Sequence, residues 1–362
     1  MTSSFNGGAD MNLQSLLRDY LTAYTARYGA VTTPEQWSAL NAMLGCRTAQ
    51  YGLLSLHCTQ CNRQEHRPLS CGHRACTQCH QHSNALWCER QCLKLLPVSY
   101  FMVTFTLPGE LHPLARTQQQ TLYALLFNAA IETLRTFGLN DSRLQAELAA
   151  TAVLHTHTRR IDYHPHVHLI VPGGGIHTAR REWRKVKEEY LFNHFNLARV
   201  FRAVFLKKLR AAGFDIPSSP AKWVAHCKHV GKGKGAIQYL SRYLYRGVLS
   251  DSQLVHDDGK NVTFRYRDSP SKKMETGTLK GEELIHLLLL HVLPKGFRRA
   301  RDYGFLHGNA KQALRLLQYL LRIVIPPTKS RGKAKRICPC CKAVLQITGV
   351  IWPRKRVPLQ PG

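Results

Sequence analysis

Three histidines alternate along one short stretch of the chain, His164-Pro165-His166-Val167-His168. Successive side chains of a β-strand point to opposite faces, so His164, His166 and His168 share one face. The apolar residues that would face a core behind them are Val167, Leu169 and Val171. Imidazoles side by side on a rigid strand suit a divalent metal ion. The alternative, a polar strand face with incidental histidines, stays open on this stretch alone.

Closely spaced cysteines indicate a second kind of site. Two C-x-x-C pairs are separated by 14 residues, and two such turns can complete a tetrahedral zinc site. The predicted zinc ligands are Cys58, Cys61, Cys76 and Cys79. Cys71 and His73 are spare ligands that could replace one of these or serve a second ion. A site of four cysteines is closed, so it predicts structural zinc and not an activated water.

The remaining cysteines carry weaker signals. Cys46, Cys88 and Cys92 are interpreted as buried small apolar residues. Near the C-terminus, Cys338-Pro-Cys340-Cys341 is a lone C-x-x-C for which the sequence identifies no partner.

Two tyrosines lie four residues apart in a stretch that reads as a strand and then a helix, residues 221–246. Tyr239 and Tyr243 would share one helix face, and taken alone such a pair serves packing. The preceding loop, Gly231-Lys-Gly-Lys-Gly235, could approach phosphates through backbone amides or could simply be mobile.

Other segments must position these residues. A strand predicted at Ala149–Thr158 would form a hairpin with the histidine strand and bring His155 and His157 near His166 and His168. The other predicted elements are helices within 1–45, 115–138, Glu182–Ala212 and Glu282–Leu293, and strands within 93–107 and 261–267.

Composition points to a polyanion as the partner. The chain has 362 residues, enough for about two to three domains, and its 51 Lys and Arg outnumber 22 Asp and Glu for a net charge of +29. No apolar run is long enough to span a membrane, which makes nucleic acid the expected partner. The N-terminus lacks the apolar core of a secretory signal, so clustered cysteines favour zinc in a reducing compartment.

A chain that combines these features resembles the HUH endonucleases. That family is named for the motif His-hydrophobic-His, which here is His166-Val167-His168. More closely, the chain resembles the two-tyrosine rolling-circle transposases of the insertion-sequence ninety-one type, which carry an N-terminal transposase zinc-binding domain. Besides the cysteine block, the pieces that carry the resemblance are Arg47-Thr48-Ala49, Leu96 to Phe101, Thr104 to Pro108, His164 to Gly175, Tyr239-Leu240-Ser241-Arg242-Tyr243, Val262 to Arg265 and His291 to Phe297. The loop Gly231 to Gly235 departs from the family's Pro-Phe-Gly-Gly-like turn.

The resemblance implies an α+β fold, in which a central antiparallel sheet carries the histidines and helices, including the tyrosine helix, flank one face. The implied segments are a helical N-terminus with zinc-binding module at 1–92, a catalytic domain at 93–250, a strand and helix segment at 251–325, and a basic tail with a cysteine cluster at 326–362. The expected location is the bacterial cytoplasm, in association with the nucleoid.

The resemblance also implies nicking and rejoining of single-stranded DNA at transposon ends and target DNA, through a 5′-phosphotyrosine intermediate. Tyr239 and Tyr243 would be the nucleophiles. The catalytic ion, Mg²⁺ or Mn²⁺, would be held by His166, His168 and a third ligand for which His155 is preferred over His157 and Gln238; the zinc would be structural. The residues expected to bind DNA are Lys232, Lys234, Arg242 and Arg246.

Three other functions stay open. A plasmid-type replication initiator uses the same chemistry for replication. A zinc-dependent DNA-binding regulator would bind without cutting, and a metal-dependent hydrolytic nuclease would cut without forming a covalent link to DNA.

Overall fold

A computed structural model describes residues 11–186, 189–245, 248–268, 271–324 and 335–353. Within these residues the α-helices are α1 Leu13–Asp19, α2 Leu21–Tyr28, α3 Pro34–Gly45, α4 Gln81–Cys92, α5 His112–Thr117, α6 Gln119–Asn140, α7 His194–Ala211, α8 Lys234–Tyr245, α9 Gly281–Leu289 and α10 Lys311–Leu320. The β-strands are β1 Leu53–His57, β2 Gln64–Pro68, β3 Tyr100–Thr106, β4 Glu147–Leu148, β5 Ala150–His157, β6 Tyr163–Pro172, β7 Gly174–His177, β8 Glu182–Lys185, β9 Ala225–His229, β10 Leu254–Asp257, β11 Asn261–Arg267, β12 Met274–Lys280, β13 Ala300–Tyr303 and β14 Gln346–Ile351.

A five-stranded antiparallel sheet, in the order β13-β5-β6-β3-β9, lies at the centre of the molecule. The predicted histidine strand is β6, the middle strand. Its pairing places His155 opposite His166, and it places Val153 and Thr104 on either side of His168. Paired residues of antiparallel strands project from the same face, so these side chains lie together on one side of the sheet.

Helices cover both faces of this sheet. On the face opposite the histidines, α5, α6 and α7 form the largest core, in which the rings of Phe105 and Phe201 lie 4.6 Å apart. On the histidine face, α4, α8 and α10 pack on the end of β6 through Ile170. Leu169, Ile170 and Val171 are apolar in succession, and a strand of that kind needs a layer on each side. The α+β class and the antiparallel sheet are confirmed, whereas the expectation of helices on one face only was wrong.

The predicted helix from Glu182 to Ala212 is also wrong in its first part. Glu182–Lys185 is the strand β8, which pairs with β7. The helix α7 begins at His194, where the Asn193 side chain accepts the backbone N–H groups of Phe195 and Asn196. Strand pairing and an N-cap therefore overrode the helical periodicity that the sequence suggested.

The N-terminal helices share a core with a segment distant in sequence. Leu17 of α1 and Tyr20 pack with Phe264 and Leu284 of β11 and α9. Tyr20 also donates a hydrogen bond to Asp257, at 2.5 Å. These contacts join the first and the third of the predicted segments. The division at residues 92, 250 and 325 stays a prediction.

Three smaller sheets complete the fold, in the orders β14-β1-β2, β4-β7-β8 and β10-β11-β12. The first joins two segments that are distant in sequence, because β14 pairs antiparallel with β1. None of the described helices is both long and apolar enough to cross a bilayer.

Candidate functional site

Three imidazoles meet on the histidine face of the central sheet. His155 on β5 and His166 and His168 on β6 each offer a ring nitrogen, and these nitrogens lie within 4.8 Å of one another. The ring centroids are separated by 4.4 Å between His155 and His168, 4.9 Å between His166 and His168, and 5.2 Å between His155 and His166. Nitrogens about 2.1 Å from one ion lie up to about 4.2 Å apart, so small side-chain movements suffice for shared coordination.

Hydrogen bonds orient two of these rings. Nδ1 of His166 lies 2.7 Å from the carbonyl oxygen of His164, which can only accept, so Nδ1 carries the proton and Nε2 keeps its lone pair. Nδ1 of His168 lies 2.7 Å from the Thr104 hydroxyl. When Nδ1 donates to that hydroxyl, Nε2 of His168 is likewise free to bind a cation.

The surroundings keep these imidazoles neutral. Burial lowers the pKa of His166 to about 4, and burial together with neighbouring histidines lowers the pKa of His155 and His168 well below the ordinary value. A neutral imidazole is the form that binds metal ions, so the cluster is a fitting donor set at neutral pH.

The tyrosine helix lies on the same sheet face as the imidazoles. Ile237 and Leu240 of α8 pack in one cluster with Val153 and Ile170, which continue the histidine face along β5 and β6. Tyr239 is partly buried against that cluster. Tyr243 lies in α8 one helical turn further on, and its side chain is outside the described residues.

The start of α8 is fixed by a close approach at Gly233. The φ of Gly233 is +83°, and a Cβ there would lie 2.7 Å from Cγ of Tyr100 and 2.9 Å from Cδ2 of Leu95. On the other side of the loop, the Tyr100 N–H donates to the Gly231 carbonyl oxygen at 2.8 Å. The loop therefore holds the helix directly against the beginning of β3.

Exposed cations surround this helix. Lys232 in the loop, Lys234 at the first position of α8 and Arg242 further along are all exposed, whereas Arg246 lies outside the described residues. The three described side chains therefore present positive charge to solvent on or beside α8.

His157 and His73 are not members of the three-imidazole group. His157 lies next to His291, with ring centroids 5.1 Å apart. Gln238 is exposed on α8. The spare ligand His73 accepts the backbone N–H of Ala75 through Nδ1, and it belongs to neither cysteine group.

The cysteines predicted to hold one zinc ion fall into two groups, which corrects the predicted grouping. One group is Cys46, Cys71, Cys76 and Cys79; the other is Cys58, Cys61, Cys338 and Cys341. The C-x-x-C spacing predicts that two cysteines share a turn, but it does not indicate which other cysteines complete the metal site.

In the first group, Sγ of Cys79 lies 3.4 Å from Sγ of Cys46 and 3.5 Å from Sγ of Cys71. Hydrogen bonding from Cys71 is the main cause that lowers the pKa of the Cys76 thiol to about 5. Sulfurs bound tetrahedrally at about 2.3 Å from a zinc ion lie about 3.8 Å apart, so the group fits that ion.

Sequence reasoning missed several members of these groups. Cys46 is isolated in the sequence and gave no spacing signal. Cys338 and Cys341 did give a C-x-x-C signal, but their partners lie more than 270 residues earlier in the chain. The sequence gave no signal for the contact of Thr104 with His168, because that contact depends on the register of β3 and β6.

Two family models match the chain. One, described as a putative transposase, matches residues 149–314, which include the three imidazoles and the tyrosine helix. The other, described as a transposase zinc-binding domain, matches residues 16–107, which include six of the eight grouped cysteines.

Two relatives extend the similarity. The putative transposase y4qJ of Sinorhizobium fredii is 32% identical over 374 residues, covering 92% of this chain and 93% of the relative. The transposase for insertion sequence element IS801 of Pseudomonas savastanoi pv. phaseolicola is 28% identical over 290 residues, covering 73% of this chain and 68% of the relative. A solved structure of the conjugative relaxase TrwC in complex with a 27-mer DNA is 14% identical in sequence. The match covers 62% of this chain and 74% of that chain, with a TM-score of 0.27.

Proposed function

Because the chain belongs to the rolling-circle transposases of the insertion-sequence ninety-one type with an N-terminal zinc-binding domain, we propose that it cuts and rejoins single-stranded DNA by tyrosine attack. The observation that carries this proposal is the cluster of His155, His166 and His168 on the sheet face against which the tyrosine helix packs. The metal ion and the nucleophile must reach the same phosphate. The imidazoles and the tyrosine helix can do so because they lie on the same face of the sheet.

The imidazoles of His155, His166 and His168 would hold a divalent cation, Mg²⁺ or Mn²⁺, through their ring nitrogens. Three protein ligands leave the remaining positions of a six-coordinate ion for water and phosphate oxygens. When bound, the ion supplies Lewis acidity that offsets the charge developing on the scissile phosphate. The carbonyl of His164 and the hydroxyl of Thr104 keep two of the rings oriented toward it.

Tyr239 or Tyr243 would supply the nucleophile. The phenol oxygen attacks phosphorus, the bond from phosphorus to the 3′-oxygen breaks, and the products are a 5′-phosphotyrosine and a free 3′-hydroxyl. The proton that the phenol loses is balanced by the proton that the leaving 3′-oxygen gains. Attack by a DNA 3′-hydroxyl on the phosphotyrosine reverses the step, so strands are rejoined without another energy source. Two tyrosines one helical turn apart can hold a first DNA end while accepting a second.

Positive charge would hold the DNA strand on the site. The exposed side chains of Lys232, Lys234 and Arg242, and Arg246 in the undescribed part, are the proposed contacts to phosphates. The net charge of +29 gives the chain a general attraction to DNA, which supports association with the nucleoid. The group formed by Cys46, Cys71, Cys76 and Cys79 would hold structural zinc.

Incubation with 3′-end-labelled single-stranded DNA from a transposon end, with Mg²⁺ or with Mn²⁺, tests the proposal, because the phosphotyrosine retains the part of the strand on the 3′ side of the cut. Denaturing electrophoresis should show a labelled band with the mobility of the protein. Cut DNA without such a band would instead indicate a hydrolytic nuclease, and metal-dependent binding without cutting would indicate a regulator. A transposition assay in cells separates a transposase from a replication initiator with the same chemistry.

A further inference from the structure

One cysteine turn in the N-terminal region has a defined hydrogen-bonding pattern. The N–H of Cys58 donates to the Arg63 carbonyl oxygen at 2.9 Å, and the residue after the second cysteine, Asn62, has a φ of +55°. Backbone N–H groups of Cys61 and Gln60 donate hydrogen bonds to the Cys58 sulfur. A turn of this shape directs two backbone donors at one cysteine sulfur.

The C-terminal cysteine turn repeats this pattern position by position. The N–H of Cys338 donates to the Ala343 carbonyl oxygen at 2.8 Å, and Lys342 has a φ of +61°. Backbone N–H groups of Cys341 and Cys340 donate hydrogen bonds to the Cys338 sulfur. Two turns with no sequence adjacency thus share one backbone geometry, which is expected where both bind the same ion.

The two turns face each other across a small core. Sγ of Cys58 lies 3.4 Å from Sγ of Cys341, and Sγ of Cys61 lies 3.6 Å from Sγ of Cys338. A disulfide would bring a pair of sulfurs to about 2.05 Å, whereas tetrahedral zinc thiolates lie about 3.8 Å apart. Cys58 and Cys338 are fully buried, together with Leu54, Leu56 and Leu345.

Strand pairing brings the C-terminal turn to this position. β14 follows the turn and pairs with β1, which makes β1 the middle strand of the sheet. Immediately before β1, Gly52 has a φ of +95°, and a Cβ there would lie 3.0 Å from the Ile351 carbonyl oxygen. The N-terminal hairpin of β1 and β2 is therefore shaped to accept the C-terminal strand.

We propose that Cys58, Cys61, Cys338 and Cys341 hold a second structural zinc ion, which fastens residues 335–353 to the N-terminal module. The matched zinc-binding family region ends at residue 107, so two of the four ligands lie outside it. The proposed module is thus assembled from two segments that are distant in sequence, and the segment 335–353 is one of its structural parts.

Zinc content of the full-length protein, purified under reducing conditions, tests this proposal directly. Wild-type protein should contain two zinc ions per chain. Cys341→Ser should contain one, whereas Cys340→Ser should keep two, because Cys340 is exposed in the same turn and belongs to neither group. One zinc ion in wild-type protein, or two in Cys341→Ser, would overturn the proposal.

Alkylation of native protein, mapped by mass spectrometry, locates the ion that each variant retains. In Cys46→Ser, the thiols of Cys58, Cys61, Cys338 and Cys341 should stay protected while the remaining thiols of the first group react. In Cys341→Ser, Cys338 should react and the first group should stay protected. After unfolding with a chelator and no reductant, all four thiols should react in wild-type protein; if they stay unreactive, they form disulfides and the proposal is wrong.

Discussion

Gly233 is the position at which a single methyl group should disturb the tyrosine helix most. Alanine there must adopt a φ of +83°, which costs about 1–2 kcal/mol for an L-residue. Its Cβ would also lie 2.7 Å from the Tyr100 ring and 2.9 Å from Leu95, and overpacking of this kind costs about 1–3 kcal/mol. Together these effects predict that Gly233→Ala lowers the free energy of unfolding by about 2–5 kcal/mol.

Two neighbouring glycines provide matched controls. Gly231 has a φ of +65° but nothing within 4 Å of its Cβ position, so Gly231→Ala should cost only the backbone strain, about 1–2 kcal/mol. Gly235 lies in α8, also with open space, and Gly235→Ala should stabilise by up to about 1 kcal/mol. Urea unfolding followed by tryptophan fluorescence measures the order. If Gly233→Ala is no less stable than Gly231→Ala, the proposed packing of the loop against β3 is wrong.

The remaining predictions concern the metal centres. His166→Ala and His168→Ala should each abolish cleavage. Binding of single-stranded DNA, measured by fluorescence anisotropy, should stay largely intact and should fall steeply with salt. Cleavage at the wild-type rate in either variant would show that the residue is not a metal ligand. Thr104→Val should raise the metal concentration needed for half-maximal cleavage by about 10–100-fold, because His168 loses the partner that orients it; an unchanged metal titration would contradict this role. Mild EDTA should stop cleavage while zinc stays bound, since thiolates hold zinc more tightly than imidazoles and waters hold Mg²⁺ or Mn²⁺; zinc loss at the same EDTA concentration would show that the sites are not independent.

The position of the imidazole cluster could be predicted because it depends on local rules. Alternation along β6 fixes which side chains share a face, and a short connection to β5 fixes the hairpin that brings His155 to His166. Both rules operate within about twenty residues, where the sequence is informative about geometry.

The cysteine pairing could not be predicted, because it depends on contacts between distant segments. Cys58-x-x-Cys61 and Cys76-x-x-Cys79 are neighbouring turns in the sequence and are chemically equivalent. Cys71, predicted as a spare ligand, and Cys46, which had been set aside, complete the second turn, and the C-terminal cysteines that had been left without a partner complete the first. The start of α7 was misplaced for a similar reason, since Glu182–Lys185 is held as a strand by its pairing with β7.

The central claim is that a tyrosine of α8 becomes covalently attached to DNA. Mass spectrometry of peptides from the protein–DNA adduct, after nuclease digestion, measures this directly. The account predicts a nucleotide remnant on Tyr239 or Tyr243, and no adduct from the variant in which both are phenylalanine. A remnant on any other residue, or an adduct formed by the double variant, would contradict it.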